Sequence, residues 1–255
     1  MYKAAFFDID GTLLSSQSHQ ISPGTIRAFD MLHRNGVRTF VSSGRPKSFI
    51  PQFPVTFDGY ITMTGGLVIV DDKVLLRHPI RRDDSHRWID YAKHNDLPTM
   101  CFLEQRAVAN RIDETALEIC RQLDVPQPDI MSLDDIKGYD VYQFIALCSA
   151  DADADIKALL PHCRLPRWHP LFTDIVPADN SKASGMEAIC HHFGIEQNET
   201  LAFGDGNNDM EMIEWAGTGV AMGNASPELK AVADMVTTSV DDEGIFNAIK
   251  QLIQQ

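Results

Sequence analysis

Acidic residues follow directly after two short apolar runs in this sequence of 255 residues. Asp8 and Asp10 end the first run, and Asp205 and Asp209 follow a second run that closes at Phe203. Residues alternate faces along a strand, so a strand over 3–9 would place Asp8 and Asp10 on one side near its carboxyl end. Converging carboxylates repel one another unless a cation lies between them, and Mg²⁺ takes carboxylate oxygens, waters and substrate phosphate. We therefore predict a Mg²⁺ site formed by Asp8, Asp205 and one backbone carbonyl.

Three further residues have the chemistry of a phosphate-binding site. Ser43 and Gly44 follow a third apolar run, and Lys182 begins a later helical segment. The Ser43 hydroxyl and the Gly44 N–H can donate hydrogen bonds to phosphate oxygens, and a helix after residue 44 would add its positive end. Lys182 can neutralise a phosphate dianion as a point charge. The chain order of acid pair, serine, lysine and acid pair therefore predicts a phosphorylated ligand beside the cation.

Strands and helices alternate at both ends of the chain and would position these residues. Ser22-Pro23 is typical of a helix start, and Gly36 of a helix end. The apolar patterns predict strands at 3–9, 37–41 and 59–62, a hairpin at 67–76, later strands at 201–203, 219–222 and 235–237, and later helices at 181–192, 209–215, 227–233 and 244–252. Such alternation indicates an α/β fold with a doubly wound, mostly parallel sheet and helices on both of its faces.

In the middle of the chain the predicted helices and strands no longer alternate regularly, which indicates an inserted α+β unit. Its pattern predicts helices at 83–94, 113–123 and 151–160, extended segments at 99–103, 108–110 and 141–148, a turn-rich stretch around 126–138 and two strands within 164–176. We therefore expect a core domain of residues 1–81 and 179–255, and an inserted domain of residues 82–178. Hinges are expected near 81–82 and 177–179.

Composition restricts the classes of partner. With 22 basic and 36 acidic residues the net charge is −14, which argues against a protein that binds nucleic-acid backbones. No apolar run approaches the roughly 18 residues of a membrane span, so we expect no membrane segment. The five cysteines are widely spaced and include no Cys-x-x-Cys pair, which is typical of reduced thiols in the cytoplasm.

Taken together, four motifs of this chain resemble those of the haloacid dehalogenase (HAD) superfamily. The matching segments are Asp8-x-Asp10-Gly11-Thr12, Ser43-Gly44-Arg45, Lys182 and Gly204-Asp205-Gly206-x-Asn208-Asp209. The later segment 219–225 resembles the Cof-type branch, subfamily IIB, which is rich in phosphatases of sugar phosphates and other small phosphorylated metabolites. One departure is Thr64-Gly65-Gly66, where that branch usually has Asn-Gly-Ala. The resemblance implies a Rossmann-like HAD core with an inserted α+β cap domain between the second and third motifs.

The resemblance also implies a role for each motif residue. Asp8 would attack phosphorus and form an aspartyl-phosphate, while Asp10 would protonate the leaving alcohol, deprotonate water in the second step and offer its backbone carbonyl to Mg²⁺. The groups expected to hold the phosphoryl oxygens are Ser43, Gly44, Lys182, the Ile9 N–H and Asn208. Asp209 would orient Lys182 or a metal-bound water, and Arg45 would support the site. In the cap, Arg167, Trp168 and His169 are candidate contacts for the substrate's sugar or ring.

The activity that follows is Mg²⁺-dependent hydrolysis of small phosphomonoesters, with sugar phosphates as the leading substrates. Two alternatives remain open at this point. A phosphomutase would pass the phosphoryl group from the same aspartyl-phosphate to another hydroxyl, and a phosphometabolite-binding protein would bind without turnover. The sequence identifies neither the substrate nor a subunit interface.

Overall fold

The computed structural model describes residues 1–15, 17–122, 125–167 and 169–253. In chain order the strands are β1 (Ala4–Phe7), β2 (Arg38–Ser42), β3 (Gly59–Thr62), β4 (Leu67–Val70), β5 (Lys73–Arg77), β6 (Thr99–Phe102), β7 (Ala107–Ala109), β8 (Asp129–Ile130), β9 (Gln143–Ala146), β10 (Cys163–Arg164), β11 (Thr173–Pro177), β12 (Thr200–Gly204), β13 (Thr218–Ala221) and β14 (Met235–Val236). The helices are α1 (Pro23–Arg34), α2 (Arg82–His94), α3 (Glu114–Gln122), α4 (Leu133–Ile136), α5 (Asp153–Leu159), α6 (Lys182–Phe193), α7 (Met210–Trp215), α8 (Pro227–Val232) and α9 (Gly244–Ile253).

The chain divides into two compact units. The first unit comprises residues 1–44, 51–76 and 181–255, and the second comprises residues 45–50 and 77–180. The short segment Arg45–Ile50 therefore belongs with the second unit, where the Phe49 ring packs edge-on against Phe102 with 5.8 Å between ring centroids.

The first unit is built on an eight-stranded sheet in the order β14-β13-β12-β1-β2-β3-β4-β5. The strands from β14 to β3 run parallel, and β4 is antiparallel to β3. Phe7 of β1 lies opposite Phe203 of β12 and Val41 of β2. Because these three strands are parallel and in register, their carboxyl ends open at one edge of the sheet, where ligands bind in such folds.

Helices cover both faces of this sheet. Phe6 of β1 stacks on Phe40 of β2 at 5.1 Å and belongs to one hydrophobic cluster with Met186 and Ile189 of α6. The next residue, Phe7, points to the opposite face, where it contacts Phe29 of α1 at 4.9 Å. Alternate residues of β1 therefore pack against helices on opposite faces of the sheet. The prediction of an α/β, doubly wound architecture is confirmed.

Local sequence signals set the ends of the two long helices in this unit. Ser22 is the N-cap of α1, where its side chain accepts a hydrogen bond from Thr25 N–H, and Pro23 opens the first turn. Ser181 caps α6 in the same way by accepting from Ser184 N–H, and α6 ends at Gly194, whose φ of 63° is left-handed. Both helix starts agree with the prediction, and Gly36, which was predicted to end α1, follows the C-cap Asn35 with a left-handed φ of 72°.

The second unit is an α+β structure around its own sheet, in the order β10-β11-β9-β6-β7-β8. Neighbouring strands are antiparallel except for β7 and β8, which are parallel. Its hydrophobic cluster contains Trp88 and Ile89 of α2, Phe144 of β9 and Ile156 of α5. This core shares no residue with the cluster of the first unit described above.

Four local predictions need correction. Strand β1 ends at Phe7 rather than near Ile9, and β9 is confined to Gln143–Ala146 rather than spanning 141–148. The turn-rich stretch contains the short β8 and the helix α4, which Ser132 caps. No α-helix follows Gly44, because prolines at 46 and 51 leave room only for a three-residue 3₁₀ turn, Lys47–Phe49. Among the described residues, no helix is both long enough and apolar enough to cross a membrane.

Candidate active site

Asp8 is the first residue beyond β1, and its side chain turns into the protein. Its N–H donates to the Phe203 carbonyl at 3.0 Å, which continues the β1–β12 ladder by one residue. The chain then coils tightly, because the N–H groups of Leu13 and Leu14 donate to the Ile9 carbonyl at 3.0 and 2.8 Å. As a result Asp8 and Ile9 are buried, whereas Asp10 is exposed. The argument from strand alternation therefore fails for this pair, since the strand has already ended when Asp8 begins.

Lys182 joins two acidic residues from opposite ends of the chain. It is the first residue of α6, and its side chain is wholly buried. Its Nζ donates to Asp8 Oδ1 and to Asp209 Oδ1, both at 2.5 Å. Burying an ammonium is costly unless it is paired and hydrogen-bonded, and here two carboxylates meet that requirement.

Asp209 is held at both carboxylate oxygens. Oδ1 accepts from Lys182, and Oδ2 accepts from the N–H groups of Asp205 and Gly206, both at 3.0 Å. These bonds fold the loop after β12 around the Asp209 carboxylate. Asp209 thereby fixes the lysine on one side and the backbone of Asp205 on the other.

Asp205 lies across the loop that follows β1. Thr12 Oγ1 donates to its Oδ1 at 3.2 Å, and Asn224 Nδ2 donates to its Oδ2 at 3.3 Å. Asn224 also donates to the Gly11 carbonyl at 2.8 Å, so one side chain ties the two acidic loops together. Gly11 has a left-handed φ of 82°, and a Cβ there would overlap the Asp205 carboxylate. Glycine at position 11 is required on both counts.

Neither Asn224 nor Thr12 was assigned a role from the sequence. Thr12 is part of the first motif, and Asn224 lies in the 219–225 segment that carries part of the family resemblance. The available signal was therefore membership of a motif, whereas the partner of each side chain depends on the fold.

The acidic residues form a cluster that could hold a metal ion. One carboxylate oxygen from each of Asp8, Asp205 and Asp209 lies within 4.8 Å of the other two. With all three ionised and Lys182 protonated, the formal charge of the cluster is −2, from three negative groups and one positive group. Asp10, which was expected beside Asp8, does not contribute its carboxylate to this group.

The pKa values of the cluster reflect this excess of negative charge. Burial raises the pKa of Asp8 well above its ordinary value, Lys182 opposes the rise, and Asp209 and Asp205 add to it. Burial and the nearby Asp209 raise the pKa of Asp205 to about 6. Burial alone would lower the pKa of Lys182, but Asp209 and Asp8 reverse this and raise it above its ordinary value. Lys182 therefore stays charged, while protons and a cation would compete for the carboxylates of Asp8 and Asp205.

The donor set fits a hard divalent cation. All candidate ligands are oxygens, and a charge of +2 would balance the cluster. The oxygens of Asp209 already accept three N–H hydrogen bonds. Asp209 thus already holds Lys182 and the backbone of the Asp205 loop, whereas two hydrogen bonds to Asp205 come from the side chains of Thr12 and Asn224.

Ser43 reaches the same edge of the sheet from the adjacent strand. It is buried just beyond β2, whose register places Val41 opposite Phe7, the last residue of β1. Its N–H donates to the Ile61 carbonyl at 2.9 Å, and its carbonyl accepts from Thr64 N–H at 3.1 Å. Gly44 follows directly and is half-buried, whereas Asn208 is exposed on the loop after β12.

The remaining candidate residues belong to the second unit. Arg45 donates through its guanidinium to the Phe49 carbonyl at 3.1 Å. Arg167 forms two hydrogen bonds to the Asp153 carboxylate, at 2.8 and 2.6 Å, and another to the Cys148 carbonyl at 3.0 Å. The protein itself thus holds this guanidinium. The His169 ring stacks on Phe172 at 4.9 Å, and Trp168 lies outside the described residues.

Comparison with known proteins agrees with this geometry. Residues 5–249 match the family described as haloacid dehalogenase-like hydrolase. The putative phosphatase YkrA of Bacillus subtilis (strain 168) is 34% identical over 255 residues, which cover 98% of this chain and 97% of YkrA. Among solved structures, the HAD subclass IIB sugar phosphatase BT4131 superposes with a TM-score of 0.87 at 32% identity, covering 98% of each chain. The phosphatase BT1666 of Bacteroides thetaiotaomicron gives 0.90 at 31% identity, covering 98% of this chain and 95% of its own.

The doubly wound sheet, with an acidic cluster at the carboxyl ends of its central strands, places the chain among the α/β proteins that bind ligands at that edge. The chain belongs to the haloacid dehalogenase-like hydrolases, since the family match extends over almost its whole length. It is an enzyme of the phosphatase type, as its relatives of similar length and fold are. The family resemblance inferred from the four motifs is confirmed.

Proposed function

We propose that this enzyme is a Mg²⁺-dependent phosphatase that hydrolyses small phosphomonoesters, sugar phosphates first among them, through an aspartyl-phosphate. The observation that carries the proposal is the buried Asp8 carboxylate, held by Lys182 at 2.5 Å beside Asp205 and Asp209. The name of the sugar phosphatase BT4131, whose fold this chain shares, supports the choice of substrate class.

Asp8 is the proposed nucleophile. Lys182 holds Oδ1, so one carboxylate oxygen is oriented and the other is directed to attack phosphorus. The bond from phosphorus to the ester oxygen breaks as the bond to Asp8 forms, and the leaving alcohol takes its proton from Asp10. In the second step Asp10 accepts a proton from water, which attacks phosphorus and releases phosphate and the Asp8 carboxylate. The exposed position of Asp10 gives it access to both the alcohol and water.

The other proposed contacts bind charge. Lys182 would face the phosphoryl group from the buried side, and Ser43, Gly44, the Ile9 N–H and Asn208 would donate to its equatorial oxygens. Asp8, Asp205 and the Asp10 carbonyl would hold Mg²⁺, which when bound supplies positive charge for the phosphoryl oxygens. Arg45 is proposed to support the loop that carries Ser43 and Gly44.

We further propose that residues 82–178 form a cap domain that selects the leaving group. The cap carries Arg167, Trp168 and His169, which were proposed as substrate contacts. Because Asp153 already engages the Arg167 guanidinium, we expect Arg167 to shape this region rather than to bind substrate strongly.

Phosphate release tests the proposal directly. p-Nitrophenyl phosphate and a panel of phosphorylated metabolites would be assayed with Mg²⁺ and with EDTA, using the wild type, Asp8→Asn and the control Asp71→Asn. Asp71 lies in an exposed turn at a φ of 48°, which asparagine tolerates, so the control makes the same chemical change away from the site. We expect metal-dependent release from the wild type and the control, and a loss of at least about a thousandfold in Asp8→Asn.

Two results would contradict the proposal. Substantial activity in Asp8→Asn would remove Asp8 as the nucleophile. The second result would be isomerisation of a hexose phosphate without phosphate release, monitored by ³¹P NMR. It would assign the chain to the phosphomutases instead.

A further inference from the structure

Gly44 is a glycine that the fold itself does not require. Its backbone is outside the left-handed region, unlike that of Gly11 or Gly65. A Cβ built on Gly44 would meet, among the described residues beyond its chain neighbours, a single heavy atom within 4 Å, the hydroxyl oxygen of Thr64 at an ordinary 3.5 Å. Neither backbone conformation nor packing therefore excludes a side chain here. The remaining physical use of a missing Cβ is to let a ligand approach the backbone closely.

The hydroxyl that borders this space belongs to a residue in an unfavourable conformation. Thr64 has φ 55° and ψ 40°, which is left-handed and rare for a β-branched residue. Met63 before it and Gly65 after it also have positive φ, at 50° and 94°. Such strain persists where the surrounding structure fixes it, and it is concentrated at functional sites.

Three contacts fix the turn that carries Thr64. Thr64 N–H donates to the Ser43 carbonyl at 3.1 Å, and Gly66 N–H donates to the Met63 carbonyl at 3.0 Å. Just before the turn, Ile61 of β3 packs against Gly185 of α6, the helix that begins with Lys182. The turn thus rests on the two elements that present Ser43 and Lys182. Thr64 is half-buried, so its side chain borders both protein and solvent.

We propose that Thr64 is a further substrate-binding residue, whose hydroxyl donates a hydrogen bond to a phosphoryl oxygen in the space over Gly44. This inference rests on the proposed phosphatase function and adds a side-chain donor to the Ser43 and Gly44 donors. It also explains why a β-branched residue occupies a left-handed position, since the conformation directs the hydroxyl toward Gly44.

The test compares Thr64→Val, Thr64→Ser and the control Thr56→Val in the Mg²⁺-loaded enzyme. Valine keeps the branched shape and removes the hydroxyl, whereas serine keeps the hydroxyl, and Thr56 is an exposed residue of the first unit. The probe is inorganic phosphate, measured as an inhibitor of p-nitrophenyl phosphate hydrolysis. We expect Thr64→Val to weaken phosphate inhibition and to raise KM by about tenfold or more, because a hydrogen bond to a charged group is lost. Thr64→Ser retains the donor and should lose clearly less phosphate affinity than Thr64→Val, and the control Thr56→Val should remain within about twofold of the wild type.

Each outcome has a distinct meaning. If phosphate inhibits Thr64→Val as strongly as the wild type and the KM of the variant is unchanged, the Thr64 contact is overturned while the phosphatase function stands. If the wild type hydrolyses no phosphomonoester, the proposed function fails first. Should Thr64→Val not fold, Thr64→Gly removes both the hydroxyl and the backbone strain, and it should show the same loss of phosphate affinity at unchanged thermal stability.

Discussion

At the scale of single residues, the chemistry of this site is an imbalance of charge. The cluster contains three carboxylates and one buried ammonium, which is paired with two of them, so two negative charges remain without a counter-charge when all three are ionised. The raised pKa values of Asp8 and Asp205 follow from that imbalance together with burial. A divalent cation would therefore bind in competition with protons.

This competition predicts a pH dependence of cation binding. Asp205 has a pKa of about 6 in the cation-free protein, so below that pH it is mostly protonated and must release a proton to bind Mg²⁺. Calorimetric titration with Mg²⁺ should show affinity that rises steeply between pH 5 and pH 7, and Asp205→Asn should bind weakly throughout. The control Asp71→Asn should follow the wild type. Equal Mg²⁺ affinity at pH 5 and pH 7.5 in the wild type would refute this account.

The raised pKa of Asp205 also predicts how this residue's contribution to the free energy of unfolding changes with pH. In the folded, cation-free protein Asp205 holds its proton more tightly than in the unfolded chain, where its ordinary value of 3.8 applies. The contribution of Asp205 to the free energy of unfolding should therefore fall as pH rises from 3.8 to about 6 and should then level off. Mg²⁺ should remove that loss, because it binds the ionised form of the folded state.

The sequence was sufficient for some site residues and not for others. Asp8, Lys182, Asp205 and Asp209 were predictable as one group because each follows or begins an element with a clear pattern. The exposure of Asp10 was not predictable, since it depends on β1 ending two residues early. The contacts of Asn224 and Thr64 depend on loop conformations that bring residues from distant parts of the chain together, which no local pattern encodes.

At the scale of elements, helix α6 is the part that positions the site. It is capped by Ser181, begins with Lys182 and lies close to β3, where Ile61 packs against Gly185. A Cβ on Gly185 would lie 2.5 Å from Ile61 Cγ2, so glycine here sets the distance between helix and sheet.

A double-mutant cycle tests that packing. We expect Gly185→Ala to lower the free energy of unfolding by about 1–3 kcal/mol through overpacking, and Ile61→Ala to lower it by about 2–5 kcal/mol through a cavity. The double variant should lose less than the sum, because the alanine methyl group enters the space left by Ile61. Urea denaturation measures all three values, and simple additivity would contradict the proposed contact. Gly36→Ala serves as a contrast, because a Cβ at Gly36 meets no atom within 4 Å. Any loss of stability there comes from the left-handed φ and not from overpacking.

The helices and strands were predicted correctly where the sequence contains a helix-capping residue or a regular spacing of apolar residues. Ser22-Pro23 marked the start of α1 and Gly36 lies just beyond its end, and the helix predicted from residue 181 begins directly after the Ser181 cap. Strand β8 and helix α4 have two and four residues, too few to show any periodicity, so packing within the second unit decides them. The helix expected after Gly44 is absent because prolines at 46 and 51 confine the segment to a three-residue 3₁₀ turn.

At the scale of the whole molecule, each of the two units has a hydrophobic cluster of its own among the described residues. The cluster around Ile189 of α6 belongs to the first unit, and the cluster around Ile156 of α5 belongs to the second. Both side chains are fully buried, so they offer a matched pair of probes.

We expect these two cores to respond separately to truncation. Ile156→Ala and Ile189→Ala should each lower local stability by about 2–5 kcal/mol. In hydrogen exchange followed by mass spectrometry, Ile156→Ala should speed exchange in β9 and β11 and leave β12 unchanged, and Ile189→Ala should do the reverse. Equal acceleration in both units for either variant would mean that the chain unfolds as one cooperative body.

The central position of β1 has a consequence for synthesis of the protein. Its neighbour β2 is made about thirty residues later, but its other neighbour, β12, begins only at Thr200. At roughly 5–20 residues per second, the ribosome needs on the order of ten to forty seconds to supply that strand. During this interval the apolar strand Ala4–Phe7 has an uncovered edge, which is the kind of surface on which nascent chains aggregate. The strand that delivers Asp8 to the site is thus also a segment of the growing chain that a chaperone would protect.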